Sequence, residues 1–110
     1  MPTPKPALLQ GTLDLLVMRT LMLGPLHGHG ISKHIRQTTE DVLQVDHGSL
    51  YPALNRLEKN GDITSTWQKS QRGREMRFYR LTAKGRKRLG AEETRWAVLV
   101  RAMARMLKPS

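Results

Sequence analysis

From Gly48 to Gly61 apolar residues recur every three or four positions. At about 100° per residue, Leu50, Ala53, Leu54 and Leu57 fall on one arc and Pro52, Asn55, Arg56 and Lys59 on the opposite one, which predicts a helix with a core face and a polar face. Ser49 is placed to cap it, Pro52 stands in the first turn where a missing amide hydrogen does no harm, and Asn60-Gly61 ends it. Two helices are predicted upstream. The second, about Gly28 to Thr38, buries Ile31 and Ile35 and exposes Lys33, Arg36 and Gln37, and Val42, Leu43 and Val45 of the following connection turn inward. The first, about Gly11 to Leu23 with Thr12 as its cap, carries Leu13, Leu16, Val17, Thr20 and Leu21 on a core side. Leu15, Met18 and Met22 make a second apolar side about 180° away, and a helix in so small a domain is expected to bury it against a partner chain or a ligand. Gly24-Pro25 stops the first helix.

After Gly61 the period becomes two. Ile63, Ser65 and Trp67 alternate with Thr64 and Thr66, and Met76 to Leu81 form a second strand with Tyr79 and Leu81 on one face. The basic turn from Lys69 to Arg74 joins them as a hairpin. Helix, helix, turn and helix with a hairpin beside them is the order of a winged helix. Thr82 then caps a last helix running to about Leu107, weakened early on by Gly85 and Gly90. Its stripe of Trp96, Leu99, Val100, Met103 and Leu107 lies away from Arg95, Arg101 and Arg105. With a winged-helix core complete by Leu81, this stripe is expected to dock on the first helix of a second subunit. The predicted fold is mainly α with a small β-hairpin: a flexible arm over 1–7, a winged helix-turn-helix over 8–81 and a dimerisation helix over 82–110.

Composition narrows the partner. A chain of 110 residues makes one domain, with little room for a cleft between two. Its net charge of +10, from 19 basic and 9 acidic residues, draws it to polyanions. Residues 59–88 hold ten of the basic residues against Asp62 and Glu75 alone, so the charge gathers on the hairpin and the helix start. There is no cysteine, hence no disulfide framework or thiolate metal site, and neither a signal peptide nor a membrane span is visible, so a cytoplasmic protein is expected.

Enzyme chemistry has little to stand on. The sequence has no glycine-rich phosphate loop, nucleophile elbow or paired-histidine zinc motif, and Ser49 beside His47 is better read as a helix cap. His27 and His29, two apart between glycines, are poor metal ligands, and no cofactor is expected. An amide, a guanidinium and an ammonium on one helix face suit base edges and phosphates instead. The candidate DNA contacts are Ser49, Tyr51, Pro52, Asn55, Arg56 and Lys59 on the third helix. His29 and Lys33 join them from the second, and Lys69, Arg72, Arg74 and Arg77 from the hairpin. Trp96 has two readings, plain interface packing or stacking of a flat apolar effector against Met18 and Met22. A basic, non-specific nucleic-acid protein of chromatin-like type is the alternative to a sequence-reading dimer.

Several motifs together carry a resemblance. Leu9-Gln10-Gly11-Thr12-Leu13-Asp14-Leu15-Leu16, Leu23-Gly24-Pro25-Leu26-His27-Gly28, Gly48-Ser49-Leu50-Tyr51-Pro52-Ala53-Leu54, Arg56-Leu57-Glu58 and Tyr79-Arg80-Leu81-Thr82 stand in one order across nearly the whole chain. In this the chain resembles the PadR family of bacterial transcriptional regulators, in the short form with a single C-terminal helix. The resemblance implies a dimeric winged-helix repressor whose third helix enters the major groove and whose last helix dimerises. It further implies that a small aromatic or drug-like effector lowers DNA affinity. Two positions depart from the pattern: His29 stands where a tyrosine is common, and Asp62 where a bulkier residue is frequent, which is expected to loosen packing at the start of the wing. The phenolic-acid sensing of the best-known branch does not transfer.

Overall fold

A computed structural model describes residues 10–109, so the arm expected over 1–7 lies outside the described residues. The elements follow as α1 (Gln10–Leu21), β1 (Leu26–His27), α2 (Gly28–Thr38), α3 (His47–Lys59), β2 (Ile63–Lys69), β3 (Glu75–Leu81) and α4 (Ala83–Leu107). The fold is a winged helix-turn-helix followed by a long helix. α1 runs through its middle and touches α2, α3, α4 and β3.

That central place corrects the reading of its second apolar side. Met18 is fully buried alongside Leu13, Val17 and Leu21, because four neighbouring elements enclose α1 from more than one direction. Only the ends of the side stay open, with Leu15 half-buried and Met22 exposed. α1 is already helical at Gln10, the first described residue, so Thr12 lies inside the helix rather than capping it.

α2 is capped by a histidine. The His27 ring accepts at Nδ1 from the Gly30 amide (2.9 Å), which gives that residue a role in the fold. In the connection, Val45 is buried and Leu43 half-buried. Val42 is exposed, contrary to expectation: Glu40 and Asp41 adopt left-handed backbone (φ 52° and 65°), and the chain leaves that turn with Val42 facing solvent.

The hairpin of β2 and β3 forms as predicted, with Ile63 opposite Leu81 and Lys69 opposite Glu75. β1 adds a third, antiparallel strand on the other side of β3, pairing Leu26 with Tyr79 and His27 with Phe78. Ile63, Tyr79 and Leu81 close the core over the helices.

The core does not end at Leu81. Leu89 of α4 lies in it, and Gly85 is buried against the Asp62 carbonyl, where an added Cβ would come within 2.0 Å of the oxygen. Thr82 caps α4 as predicted, accepting from the Gly85 amide (3.0 Å), and its own amide donates to that same Asp62 carbonyl (3.1 Å). Asp62 therefore tightens the wing's start instead of loosening it. Its side chain is 1% exposed and accepts from Arg88 Nη1. Beyond Glu92 α4 stands clear of the core, with its apolar stripe exposed.

Candidate nucleic-acid interface

α3 is the element on which the interface is built. Leu50, Ala53, Leu54 and Leu57 are all fully buried, each leucine stabilising the helix's seat by about 1.5–3 kcal/mol. The anchored helix turns Tyr51, Pro52, Asn55 and Lys59 to solvent. Its cap is Asp46, whose Oδ1 accepts from the Ser49 amide at 2.8 Å, so the helix begins one turn earlier than Ser49 implied. Pro52 is consequently past the first turn, and the Gly48 carbonyl, itself at an exposed residue, receives no amide hydrogen from it.

Tyr51 ties α3 to α2. Its ring meets His47 edge-on with centroids 5.6 Å apart, and its hydroxyl lies so close to Gly28 that a Cβ there would stand 2.8 Å from Oη. A residue larger than glycine at 28 would push the tyrosine away. Between the start of α2, α3 and the wing runs a groove of about 450 Å³ lined by His29, Tyr51, Asn55, Trp67 and Arg74 among others. His29 is exposed at this groove, and Lys33 of α2 and Lys59 of α3 are exposed as well.

The wing tip is a tight basic turn. Ser70 donates its amide to the Arg74 carbonyl (2.7 Å), the Gly73 amide donates back to Ser70 (2.9 Å), and Gly73 takes the left-handed backbone (φ 76°) that the turn requires. Lys69, Arg72 and Arg74 are exposed there and form no ion pair among the described residues.

Two of the sequence-predicted contacts are engaged elsewhere. Arg56 directs Nη2 to Oδ1 of the buried Asp14 on α1, at 2.9 Å, and so points into the protein instead of across the polar face. Arg77 donates Nη2 to Glu58 Oε1 (2.7 Å) and Nε to Ser65 Oγ (2.8 Å), while Ser65 donates to Glu58 Oε2. This triad fastens the wing to α3. The same guanidinium lies 5.7 Å from the centre of the Tyr79 ring. Burial raises the Tyr79 hydroxyl above the ordinary phenol range, with Arg77 pulling the other way and Glu58 and Tyr51 adding to the rise.

Trp67 was missed from the sequence. It is 67% exposed on β2 at the mouth of the groove, opposite Arg77 in the ladder. Alternation puts it on the same face of β2 as Ile63, but only Ile63 is buried, and exposure rises toward the wing tip. A tryptophan beside a basic turn was the available signal.

The second set of predicted residues divides. Trp96, Leu99, Val100, Met103 and Leu107 form an exposed apolar stripe on α4. Leu15 joins Trp96 and Leu99 in a cleft of about 380 Å³ with Thr12, Glu92 and Arg95 at its edges. Met18 and Met22 are not part of it. Met18 is in the core, and the Met22 sulfur lies 3.6 Å from Arg86 Nη1, farther along the antiparallel pair of α1 and α4. Among the described residues no group of acidic, histidine or cysteine side chains could hold a metal, and no helix is long and apolar enough to cross a membrane.

The same arrangement occurs in known proteins. The family model described as the transcriptional regulator PadR-like family matches residues 17–91. The chain is similar to the structure of a transcriptional regulator from Clostridium thermocellum, with 29% identity over 90% of this chain and 96% of that one and a TM-score of 0.82. A PadR family transcriptional regulator from Eggerthella lenta is 28% identical, covering 92% and 86% of the two chains, with a TM-score of 0.77. An uncharacterized protein of Lysinibacillus sphaericus is 28% identical over 90 residues, which is 82% of this chain and 83% of that one.

Proposed function

Since this chain belongs to the transcriptional regulator PadR-like family and is a DNA-binding regulator of transcription, not an enzyme, we propose that it acts as a two-fold dimer that represses transcription until a small effector lowers its grip on DNA. Each protomer sets α3 in a major groove, with Asn55 and Lys59 facing base edges and Ser49, Tyr51 and Pro52 filling the approach. His29 and Lys33 of α2 and Lys69, Arg72 and Arg74 of the wing take phosphates. Trp67 packs against the backbone or in the adjoining minor groove. Arg56 and Arg77 hold the reading surface in shape and do not touch DNA.

The observation that carries this reading is the division of the surface. Tyr51 and Asn55 of α3 line one groove with Arg74 of the wing, and the uncovered apolar stripe of α4 has no part in it. The stripe is the dimer contact. The cleft of Leu15, Trp96 and Leu99 is the effector's place, suited to a flat aromatic molecule that stacks on the indole.

The test is selection of duplexes from a random library by the full chain, followed by footprinting. Two protected half-sites about 34–36 Å apart are expected, with a large preference over random duplex at ~150 mM salt. Equal affinity for random duplex would instead establish a non-specific, chromatin-like binder.

A further inference from the structure

Four charged side chains, two buried aspartates and two partly exposed arginines, form a chain between α3, α1 and α4, and nothing in DNA contact or dimer contact requires them. Asp14 of α1, 8% exposed in its side chain, stands between two arginines. Arg56 of α3 approaches Oδ1 at 2.9 Å and Arg88 of α4 approaches Oδ2 at 3.9 Å. Arg88 also gives Nη1 to Oδ2 of Asp62, at the entry to β2. The signs alternate and cancel from α3 through α1 to α4.

Stability alone does not explain such an arrangement. Buried ion pairs lose much of their attraction to desolvation, and apolar residues of like volume usually hold a core as well or better. This chain is also imperfect, since Arg56 Nε and Asp62 Oδ1, one near each end, are buried without a hydrogen-bond partner. What a directed pair supplies and a greasy contact does not is register, because a guanidinium must meet a carboxylate in its own plane. The start of α4 is already pinned at one point, where the backbone of Thr82 and the bare face of Gly85 meet the Asp62 carbonyl. Leu89 seats the helix in the core, but apolar packing is non-directional and does not by itself fix the helix's angle. Arg88, one turn beyond Gly85, adds a directed hydrogen bond to the same aspartate, and its looser ion pair with Asp14, at 3.9 Å, carries the connection on to α3.

We propose that Arg56, Asp14, Arg88 and Asp62 form a strut that fixes the angle between the reading helix and the dimerisation helix, and so sets the half-site spacing the dimer accepts. The inference rests on the dimeric DNA-reading proposed above. In a two-fold dimer, play between α3 and α4 appears twice across the axis. Lengthening a spacer by one base pair moves the half-sites apart by about 3.4 Å and turns them by about a tenth of a helical turn. Each protomer must absorb half of that change. A rigid strut makes the adjustment costly, and a loose one makes it cheap. The four residues are positioning residues, acting through α3 without touching the bases.

The experiment uses the full-length chain and the duplex it selects, together with the same duplex carrying one or two base pairs more or fewer between half-sites. Wild type should lose affinity on the order of tenfold for one base pair of change, the scale of a mismatched base. The double variant Arg88→Met/Asp62→Asn removes the α4 link without leaving an unpaired buried charge. It is expected to stay dimeric by sedimentation and to keep its preference within a half-site, while the spacing penalty falls to roughly two- or threefold. Arg88→Lys, which keeps the charge but loses the two-way fork, should fall between, and it carries the test if the double variant does not fold. A folded, dimeric variant with the wild-type spacing penalty would overturn the strut. A wild type that sediments as a dimer yet is indifferent to spacing would overturn the strut alone, and one that sediments as a monomer would remove the dimer reading and the strut with it.

Discussion

Asn55 and Arg56 are neighbours in sequence on α3 and should fail in opposite ways when truncated. Asn55 is exposed and its side chain has no hydrogen-bond partner among the described residues, so Asn55→Ala should change stability by no more than about 0.5 kcal/mol. If its amide reads a base, discrimination at that position should fall by about 1–3 kcal/mol, or roughly 5- to 150-fold in relative affinity. Arg56→Ala takes the nearer cation from Asp14, whose side chain is 8% exposed. Removing one partner of a fully buried pair costs about 3–5 kcal/mol. The Arg56 side chain is 35% exposed and Arg88 remains at 3.9 Å, so the expected loss is smaller: about 1.5–3 kcal/mol, a fall in Tm of roughly 6–15 °C. Circular-dichroism melts give the first quantity. Relative affinities for single-base variants of one half-site, measured below the melting range at fixed salt, give the second. An Arg56→Ala protein that melts like wild type while its base preference relaxes would show that the arginine leaves Asp14 to read DNA, and the committed-arginine argument would fail.

Arg72→Ala or Arg74→Ala should weaken binding to every duplex alike and lower the salt slope by about two, since both protomers lose a phosphate contact; a change confined to particular sequences would contradict the phosphate role. Deleting residues 92–110 leaves Leu89 and the core in place and should yield a monomer by sedimentation, and a persisting dimer would place the interface elsewhere. Trp67 is exposed near the DNA face, so an effector titration needs Trp67→Phe to leave Trp96 as the sole indole; a flat aromatic effector should then quench it, and a silent Trp96 beside an effective inducer would empty the cleft of its assigned role. Gly85→Ala drives a methyl against the Asp62 carbonyl and Leu81 and should cost several kcal/mol by denaturant titration, whereas Gly90→Ala, with open space around it, should be neutral or slightly stabilising.

What the sequence disclosed was whatever depends on local periodicity and punctuation. α2 begins and ends where its glycine start and Ile31–Ile35 spacing put it, and the wing has the predicted strands and turn because its alternation is broken only by a polar, glycine-containing tip. β1 could not be read. Two residues carry no period, and their partners Tyr79 and Phe78 lie some fifty positions away. The cap of α3 was misplaced because Asp46 and Ser49 are both good capping residues, and only the geometry shows the aspartate accepting from the serine's amide. Met18 was misassigned by assuming that a helix in a small domain has one covered side, an assumption that fails for the helix at the centre.

The treatment of charge shows the same limit and points past it. Counting made residues 59–88 strongly basic, and that count cannot separate a cation that attracts DNA from one that holds the fold. The acids make the separation. Asp14 stands among leucines, Glu58 is the one acid on an otherwise basic helix, and Asp62 opens the wing. Each takes an arginine out of the field: Arg56, Arg77 and Arg88 in turn. Among the cations left without an ion pair in the described residues, Arg74 of the wing shares a groove with Asn55 and Tyr51, and Lys33, Lys59, Lys69 and Arg72 stand exposed. A carboxylate that the fold buries or holds between elements, as it does Asp14, Glu58 and Asp62, withdraws its arginine from the binding surface, so Arg56, Arg77 and Arg88 leave the set of 19 basic residues open to phosphate.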